Sequence, residues 1–199
     1  NGVDGNRFCP GKVDRAAFDL PQEPPIALMV SALIRSKRIV EGIQAASQID
    51  GLHLVVCGDG PERETVKALG NQLMPERFHL KKLPHHRMPD IYRAVDLLLH
   101  MSLDEPFGNI YLEALATGLP IVAHDRKVTR WILEDTAIPV DTTDEAQVVT
   151  GIHKALRSRS PEEETIRRAL IDRRFTWRQI GRDYYDFFRA VLKRRTGNE

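Results

Sequence analysis

Two glutamates in one short segment carry the most chemistry in this sequence. Glu105 and Glu113 stand eight positions apart, with Pro-Phe-Gly after the first and an apolar helical pattern around the second. The apolar run at residues 97–101 predicts a strand just before them. A strand, a glycine-containing turn and a helix start make a phosphate cradle, because unpaired backbone N–H groups and the helix dipole face one point. With carboxylates on either side, the segment suits a sugar–diphosphate–ribose ligand.

The residues around this pair resemble a family signature. Glu-Pro-Phe-Gly, followed by Leu-Glu-Ala-Leu-Ala-Thr-Gly-Leu-Pro at residues 112–120, is similar to the Glu-x7-Glu signature of retaining GT-B glycosyltransferases of family GT4. The alternative is a solvated loop carboxylate at Glu105 and an ordinary helix-surface charge at Glu113. The match continues into the predicted strand at residues 121–123, and this context favours the functional interpretation.

The resemblance implies a role for each residue of the signature. Glu113 would hold the ribose hydroxyls, and Glu105 would lie beside the donor sugar near its reacting carbon as a catalytic residue. Backbone groups of Phe107, Gly108 and Asn109 would bind sugar or phosphate oxygens at the helix start.

Residues 31–37 are similar to the family segment Gly-Arg-Leu, three residues, Lys. Lys37 occupies the lysine position and would be the second catalytic residue, neutralising the diphosphate as the leaving group departs. Ala32 replaces the arginine that grips the donor phosphate in the family. Arg35 either reaches that phosphate from the loop or faces solvent. Arg126, where the family has a Gly-Gly turn, either restores positive charge or marks an altered site.

Two further loops belong to the expected donor site. Gly58 and Gly60 follow a predicted strand, but Arg63 stands where a dinucleotide-binding loop would place its third glycine. The resemblance implies that the backbone approaches the donor at these glycines; a plain strand-to-helix turn is the alternative. It also implies that the nucleobase lies against the backbone near Leu83. Lys82, where a glycine is common, leaves the identity of the base open.

The alternation of apolar runs and helical patterns predicts an α/β fold with a Rossmann-like parallel sheet, helices on both faces and a helical C-terminal tail. Strands are expected at residues 26–33, 52–57, 78–83, 97–101, 121–123 and, more weakly, 137–140. Ligands bind beyond the carboxyl ends of such strands. The residues expected there are Gly58, Leu83, Ser102 and His124.

Three segments are expected along the chain: a linker at residues 1–25, a nucleotide-sugar-binding domain at 26–175, and a C-terminal helix at 176–199. Asn-Gly-Val-Asp at residues 1–4 is similar to the junction between the two GT-B domains, although a simple turn is the alternative. In the family, the last helix crosses back to the N-terminal domain. We therefore expect a C-terminal half whose aromatic helix stripe is partly uncovered.

Composition and spacing argue against several other functions. The net charge of +1 gives no reason to expect a nucleic-acid partner. There is no Asp-x-Asp, so neither a metal nor a cofactor is expected. Adjacent His85 and His86 lack companions at metal-ligand spacing and are interpreted as a solvated loop. Cys9 and Cys57 are isolated, which argues against a disulfide framework, and Cys57 is expected to be a buried free thiol.

The resemblance thus implies the donor-binding domain of a retaining, metal-independent enzyme. The enzyme would transfer a hexose from a nucleoside-diphosphate sugar to a saccharide or lipid-linked acceptor held by another domain, and these residues alone are expected to be inactive. The alternatives are a GT-B-like sugar-nucleotide epimerase and a non-catalytic nucleotide-sugar-binding or scaffold module, which the loss of arginine at Ala32 makes conceivable. A cytoplasmic setting is expected, with peripheral contact at the inner face of the membrane for the longer protein.

Overall fold

A computed structural model describes the backbone of residues 1–196 and the side chains as far as residue 193. Six strands form one sheet: β1 (Ile26–Val30), β2 (His53–Cys57), β3 (Phe78–Lys81), β4 (Leu97–His100), β5 (Ile121–His124) and β6 (Ile138–Val140). Their order is β3-β2-β1-β4-β5-β6, and every neighbouring pair is parallel. The predicted fold class is confirmed.

Eight helices connect and cover these strands within the described residues: α1 (Ile39–Ser47), α2 (Arg63–Leu73), α3 (Met88–Ala94), α4 (Asn109–Ala116), α5 (Lys127–Leu133), α6 (Glu145–Arg157), α7 (Pro161–Arg174) and α8 (Trp177–Thr196). The first predicted strand is too long, because the chain turns away after Val30. Leu33 instead donates its N–H to the carbonyl of Asp59 at 2.9 Å and remains fully buried.

The core lies on both faces of the sheet. Along β1, Ile26 and Leu28 contribute to one apolar cluster, whereas Ala27 and Met29 contribute to the other. This alternation follows the two-residue period of a strand. Side chains from α3, α4 and α7 complete the first cluster, and side chains from α1, α2 and α6 complete the second. With both faces covered, ligands have access only at the edges of the sheet.

The amino-terminal segment packs against the domain. Phe8 and Phe18 are buried in the first apolar cluster. Arg15 donates two hydrogen bonds, of 2.8 and 2.9 Å, to the carboxylate of buried Asp96, which also accepts from the backbone N–H of Ile26 at 2.7 Å. A buried carboxylate satisfied in this way is costly to disturb, so it fixes this segment to the sheet.

The last helix leaves its aromatic residues uncovered. Trp177 is 59% exposed and Phe188 is 56% exposed. Tyr184, Tyr185, Phe187 and Leu192 are exposed as well. A continuous apolar face of this kind is typical of a surface that another protein surface covers. Within residues 1–196, no helix combines the length and apolarity needed to cross a membrane.

Candidate active site

The strand order reverses between β1 and β4, and this reversal creates the candidate site. The connection after β1 runs toward β2 on one side, while the connection after β4 runs toward β5 on the other. In a parallel sheet, the two loops leave a crevice between them at the carboxyl edge. Residues 31–38 and 101–108 form these loops, and they carry half of the predicted site residues, including both residues expected to be catalytic.

Lys37 and Glu105 meet across this crevice. The Lys37 ammonium donates a hydrogen bond to Oε2 of Glu105 at 2.7 Å, and both side chains are mostly buried. Lys37 ends a single 3-10 turn, Arg35–Lys37, and the chain then reverses through Arg38 in the left-handed conformation, with φ of 54°. The structure thus brings together the two residues expected to be catalytic, although their loops belong to different strands.

His100, the last residue of β4, is a third member of this cluster. Its buried Nε2 lies 3.2 Å from Oε2 of Glu105, within ion-pair distance but without hydrogen-bond alignment. Contact with His100, followed by the Lys37 ammonium, lowers the pKa of Glu105 to about 2, although burial opposes this shift. Glu105 is therefore a carboxylate throughout the neutral range, held beside a cation.

Glu113 lies in a separate environment one turn into α4. The Tyr92 hydroxyl on α3 donates to its Oε2 at 2.9 Å. Burial raises the pKa of Glu113, while the Tyr92 hydroxyl and, more weakly, His85 and Arg7 lower it. Glu113 also lines a cavity of about 240 Å³ that reaches the amino-terminal segment. Its second carboxylate oxygen accepts no hydrogen bond from the side chains described, residues 1–193, so it is available to a ligand hydroxyl.

The start of α4 has the geometry expected of the loop. Gly108 precedes the helix with φ of 74°, and no side chain caps the helix there. A Cβ at Gly108 would lie 2.6 Å from the Tyr111 ring, so only glycine fits without a shift. The Phe107 ring packs edge-to-face on Phe175, with 6.2 Å between centroids. With its ring in the domain, Phe107 presents its backbone to the loop, as does Asn109 at the first helical position.

Gly58 and Gly60 have a packing role that needs no ligand. A Cβ at Gly58 would lie 1.9 Å from the carbonyl oxygen of Ser31, and one at Gly60 would lie 2.6 Å from that of Leu33. The loop after β2 therefore presses directly against the loop after β1. Leu83 lines a neighbouring cavity of about 310 Å³, together with Ser31 and Gly58.

The cations singled out around the crevice differ in their surroundings. Arg35 is exposed, and its side chain makes no hydrogen bond or ion pair within residues 1–193. Lys82 pairs with Asp59 beside the Leu83 cavity. Arg126 pairs with Asp104, next to Glu105 in the same loop. Arg35 is thus available to a ligand, whereas Lys82 and Arg126 are already engaged.

A further cavity of about 290 Å³ opens at the amino edge of the sheet, away from these residues. Its lining includes Arg93, Arg159 and Arg167. Each guanidinium pairs with a carboxylate; the partners are Asp90, Asp96 and Glu163. This cavity lies at the opposite edge of the sheet from the carboxyl ends of the strands, where ligands bind in parallel sheets, so it is a poorer candidate for the donor than the crevice at Lys37.

Sequence reasoning missed Tyr92, His100 and Arg7. A histidine that closes an apolar strand was a usable signal for His100. Tyr92 lies within an apolar helical pattern, and Arg7 lies in a polar loop, so neither stands out by residue type. The hydrogen bond of Tyr92 and the charge of Arg7 act on Glu113 only because α3 and the amino-terminal segment pack beside it.

Residues 12–171 match the family model described as glycosyl transferases group 1. The chain belongs to this family. The lipopolysaccharide core biosynthesis glycosyltransferase LpsE of Rhizobium meliloti is 30% identical over 124 residues, which are 62% of this chain and 36% of that protein. Membership in this family favours the glycosyltransferase interpretation over the epimerase.

Two solved structures superpose closely on this chain. Sucrose-phosphate synthase from Thermosynechococcus elongatus gives a TM-score of 0.81 at 25% identity, over 95% of this chain and 52% of that one. Anabaena HepE, in complex with UDP and glucose, gives 0.81 at 20% identity, over 96% of this chain and 55% of that one. The chain thus spans about half the length of these two proteins.

Proposed function

We propose that this group 1 glycosyltransferase chain is the donor-binding domain of a retaining, metal-independent enzyme that transfers a hexose from a nucleoside-diphosphate sugar. The observation that carries the proposal is the pairing of Lys37 with Glu105 at the strand-order reversal, beside the uncapped start of α4. The UDP and glucose bound to the structurally similar HepE support this choice of ligand.

Lys37 has the central electrostatic task. In the structure its ammonium neutralises Glu105. A diphosphate in the crevice brings more negative charge than one carboxylate and competes for this ammonium. As the bond to the sugar breaks, negative charge grows on the leaving diphosphate, and a fixed cation stabilises that charge most in the transition state. The start of α4 adds its dipole, so these groups neutralise the leaving group with no metal.

Glu105 stabilises the donor sugar in the transition state. Its pKa of about 2 keeps it ionised at neutral pH. Positive charge develops at the reacting carbon when a glycosyl group leaves, as in glycoside hydrolysis, and a nearby carboxylate stabilises it. His100 keeps a second contact with Glu105 when Lys37 turns to the diphosphate.

The nucleoside occupies the remaining sites. Glu113 accepts hydrogen bonds from the ribose hydroxyls through the oxygen that Tyr92 leaves free. The base lies in the cavity beside Leu83, against the loops at Gly58 and Gly60. Arg35, whose side chain makes no hydrogen bond or ion pair within residues 1–193, contributes to the phosphate site in place of the arginine that Ala32 replaces.

The acceptor site and the remaining catalytic groups belong to a second domain in a longer protein. The coverage of about half of the two similar structures supports this division. In this division, residues 1–25 join the two domains and residues 26–175 bind the donor. The exposed face of α8 packs on the second domain. The acceptor is a saccharide or lipid-linked saccharide, and the similarity to LpsE, a glycosyltransferase of lipopolysaccharide core biosynthesis, supports this choice. The enzyme is placed in the cytoplasm, in peripheral contact with the membrane.

A donor screen tests the proposal. Ligand-observed NMR with uridine, guanosine and adenosine diphosphates and their hexose conjugates should show weak binding of one nucleotide to the chain, because half of the enclosing cleft is absent. Turnover of the same donor should require the longer protein. The second candidate, a non-catalytic binding module, is favoured by the absent arginine at Ala32; it predicts donor binding with no turnover by the longer protein. Absence of binding for all three nucleotides would contradict both.

A further inference from the structure

Tyr92 contacts the carboxylate that the proposed function assigns to the ribose. Its hydroxyl donates to Oε2 of Glu113 at 2.9 Å, and its side chain is fully buried. Phe8 packs edge-to-face on the Tyr92 ring, with 5.8 Å between centroids. A buried phenol with a satisfied hydroxyl and a packed ring has one stable position, so it is a rigid support for a flexible glutamate.

We propose that Tyr92 is a positioning residue for nucleotide binding: its hydroxyl fixes the Glu113 carboxylate so that the other oxygen faces the ribose hydroxyls. An ionised carboxylate has two acceptor oxygens. Because Tyr92 holds Oε2, the Glu113 side chain has lost rotamer freedom before a ligand binds. Nucleotide binding therefore does not have to order this side chain. The inference rests on the proposed function, in which Glu113 binds the ribose, and adds Tyr92 as the residue that orients the Glu113 carboxylate.

The surrounding charges explain why this hydroxyl matters. Burial of Glu113 favours its neutral form, in which one oxygen becomes a donor and is less suited to accept from the ribose. Three groups oppose this effect from three elements: the Tyr92 hydroxyl on α3, His85 from the loop before α3, and Arg7 from the amino-terminal segment. Of these, Tyr92 makes the direct hydrogen bond. Its hydroxyl therefore orients the Glu113 carboxylate and also lowers the pKa of Glu113, which favours the ionised form.

Three substitutions separate the possible roles. Tyr92→Phe deletes only the hydroxyl, and Glu113→Gln deletes the charge. Tyr111→Phe is the matched control, because Tyr111 is a buried tyrosine on α4 whose hydroxyl makes no hydrogen bond within the described side chains. Dissociation constants for UDP, GDP and ADP would be measured by ligand-observed NMR from about pH 4.5 to 8, together with the carboxyl titration of Glu113 in the ligand-free protein.

Loss of the hydroxyl should weaken nucleotide binding roughly three- to tenfold, because the ribose keeps its acceptor while the carboxylate loses the hydrogen bond that orients it, a net effect of about 1 kcal/mol. It should also move the acid limb of the binding profile to higher pH, because Glu113 then takes up its proton more readily. Glu113→Gln should weaken binding and remove that limb, while Tyr111→Phe should change neither. A purely structural role for Tyr92 would not shift the limb.

Several results would overturn the inference. If Glu113→Gln weakens binding but Tyr92→Phe changes neither affinity nor the acid limb, Tyr92 has no positioning role and the proposed function stands. An unchanged Glu113 titration in ligand-free Tyr92→Phe would lead to the same conclusion. If nucleotide binds normally to both variants, the assignment of Glu113 to the ribose is wrong. If the unchanged chain binds none of the three nucleotides, the inference and the proposed function both fail.

Discussion

Lys37 and Glu105 are joined by a hydrogen bond of 2.7 Å, although 68 positions separate them in the chain. The ammonium and the carboxylate neutralise each other in the crevice, where both are mostly buried. An anionic ligand must therefore compete with Glu105 for Lys37, and this competition makes the two side chains separable by experiment.

Lys37→Ala should weaken nucleoside-diphosphate binding to the chain and lower turnover in the longer protein. Loss of one group that stabilises a developing oxyanion costs about 2.7–4 kcal/mol, so turnover should fall roughly a hundredfold or more. Isothermal titration and initial rates measure the two effects. Intact binding and turnover would place the phosphate site elsewhere and favour a non-catalytic module.

Arg35→Ala is the comparison within the same turn. Arg35 has no polar partner within residues 1–193, so its removal costs no protein contact. We expect a loss of binding of about a few-fold if its guanidinium reaches the diphosphate, because a fork of donors suits phosphate oxygens. An unchanged affinity would show that Arg35 stays in solvent when nucleotide binds.

The two glutamates should respond differently to the same measurement. Glu113→Ala should weaken binding of the bare nucleoside diphosphate about tenfold or more, because a hydrogen bond to a charged group is worth roughly 1.5–3 kcal/mol. Glu105→Ala should not weaken binding of the bare nucleotide, because that ligand lacks the sugar and the substitution removes the carboxylate that competes for Lys37. It should reduce turnover in the longer protein. Equal losses of nucleotide affinity in the two variants would contradict this division of roles.

Phe175 should matter to stability far more than an aromatic residue of α8. Its ring is buried between Phe107 and Trp131. Phe175→Ala should lower the free energy of unfolding by about 3–5 kcal/mol, as is usual when a buried phenylalanine is truncated. Phe188→Ala, at an exposed position, is the control and should change it by no more than about 0.5 kcal/mol. Urea denaturation of the chain measures both.

The same Phe188→Ala change tests the division into domains. If a second domain covers the exposed face of α8, the substitution should destabilise the longer protein while leaving the isolated chain unaffected. Differential scanning calorimetry of both proteins would show the contrast. Equal melting temperatures for the variant and the unchanged longer protein would argue against that interface.

The stability of the domain should fall between about pH 6.5 and pH 4 because of a histidine pair. His53 Nδ1 and His79 Nε2 lie 3.0 Å apart on neighbouring strands. Burial, followed by the charge of His53, lowers the pKa of His79 to about 4. The unfolded chain therefore binds this proton at a higher pH than the folded chain, and acid favours unfolding across that range. Above it, the contribution of His79 is fully present.

His79→Gln should flatten this part of the pH dependence of the unfolding free energy, which urea denaturation at a series of pH values would measure. His153→Gln is the control, because His153 is exposed on α6. An equal slope in the His79 variant and in the unchanged protein would show that other groups produce the acid sensitivity.

Much of the fold was determined by local sequence patterns. Short apolar runs separated by helical patterns predicted six strands and their parallel arrangement, and the structure confirms this fold class. The apolar sequence at residues 97–101 and the glycine at 108 placed a strand, a turn and a helix start in the right order. Such features depend on side-chain period and on the backbone freedom of single residues, both of which can be read within a few positions.

Tertiary structure decided which side chains meet. Alternation predicts a parallel sheet, but the contact between Lys37 and Glu105 requires β1 and β4 to be neighbours and their loops to turn toward one crevice. The hydrogen bond from Tyr92 to Glu113 likewise depends on how α3 and α4 pack on the same face of the sheet. These contacts join residues far apart in the chain, and their geometry follows from the packing of the whole core. No local pattern in the sequence encodes that packing.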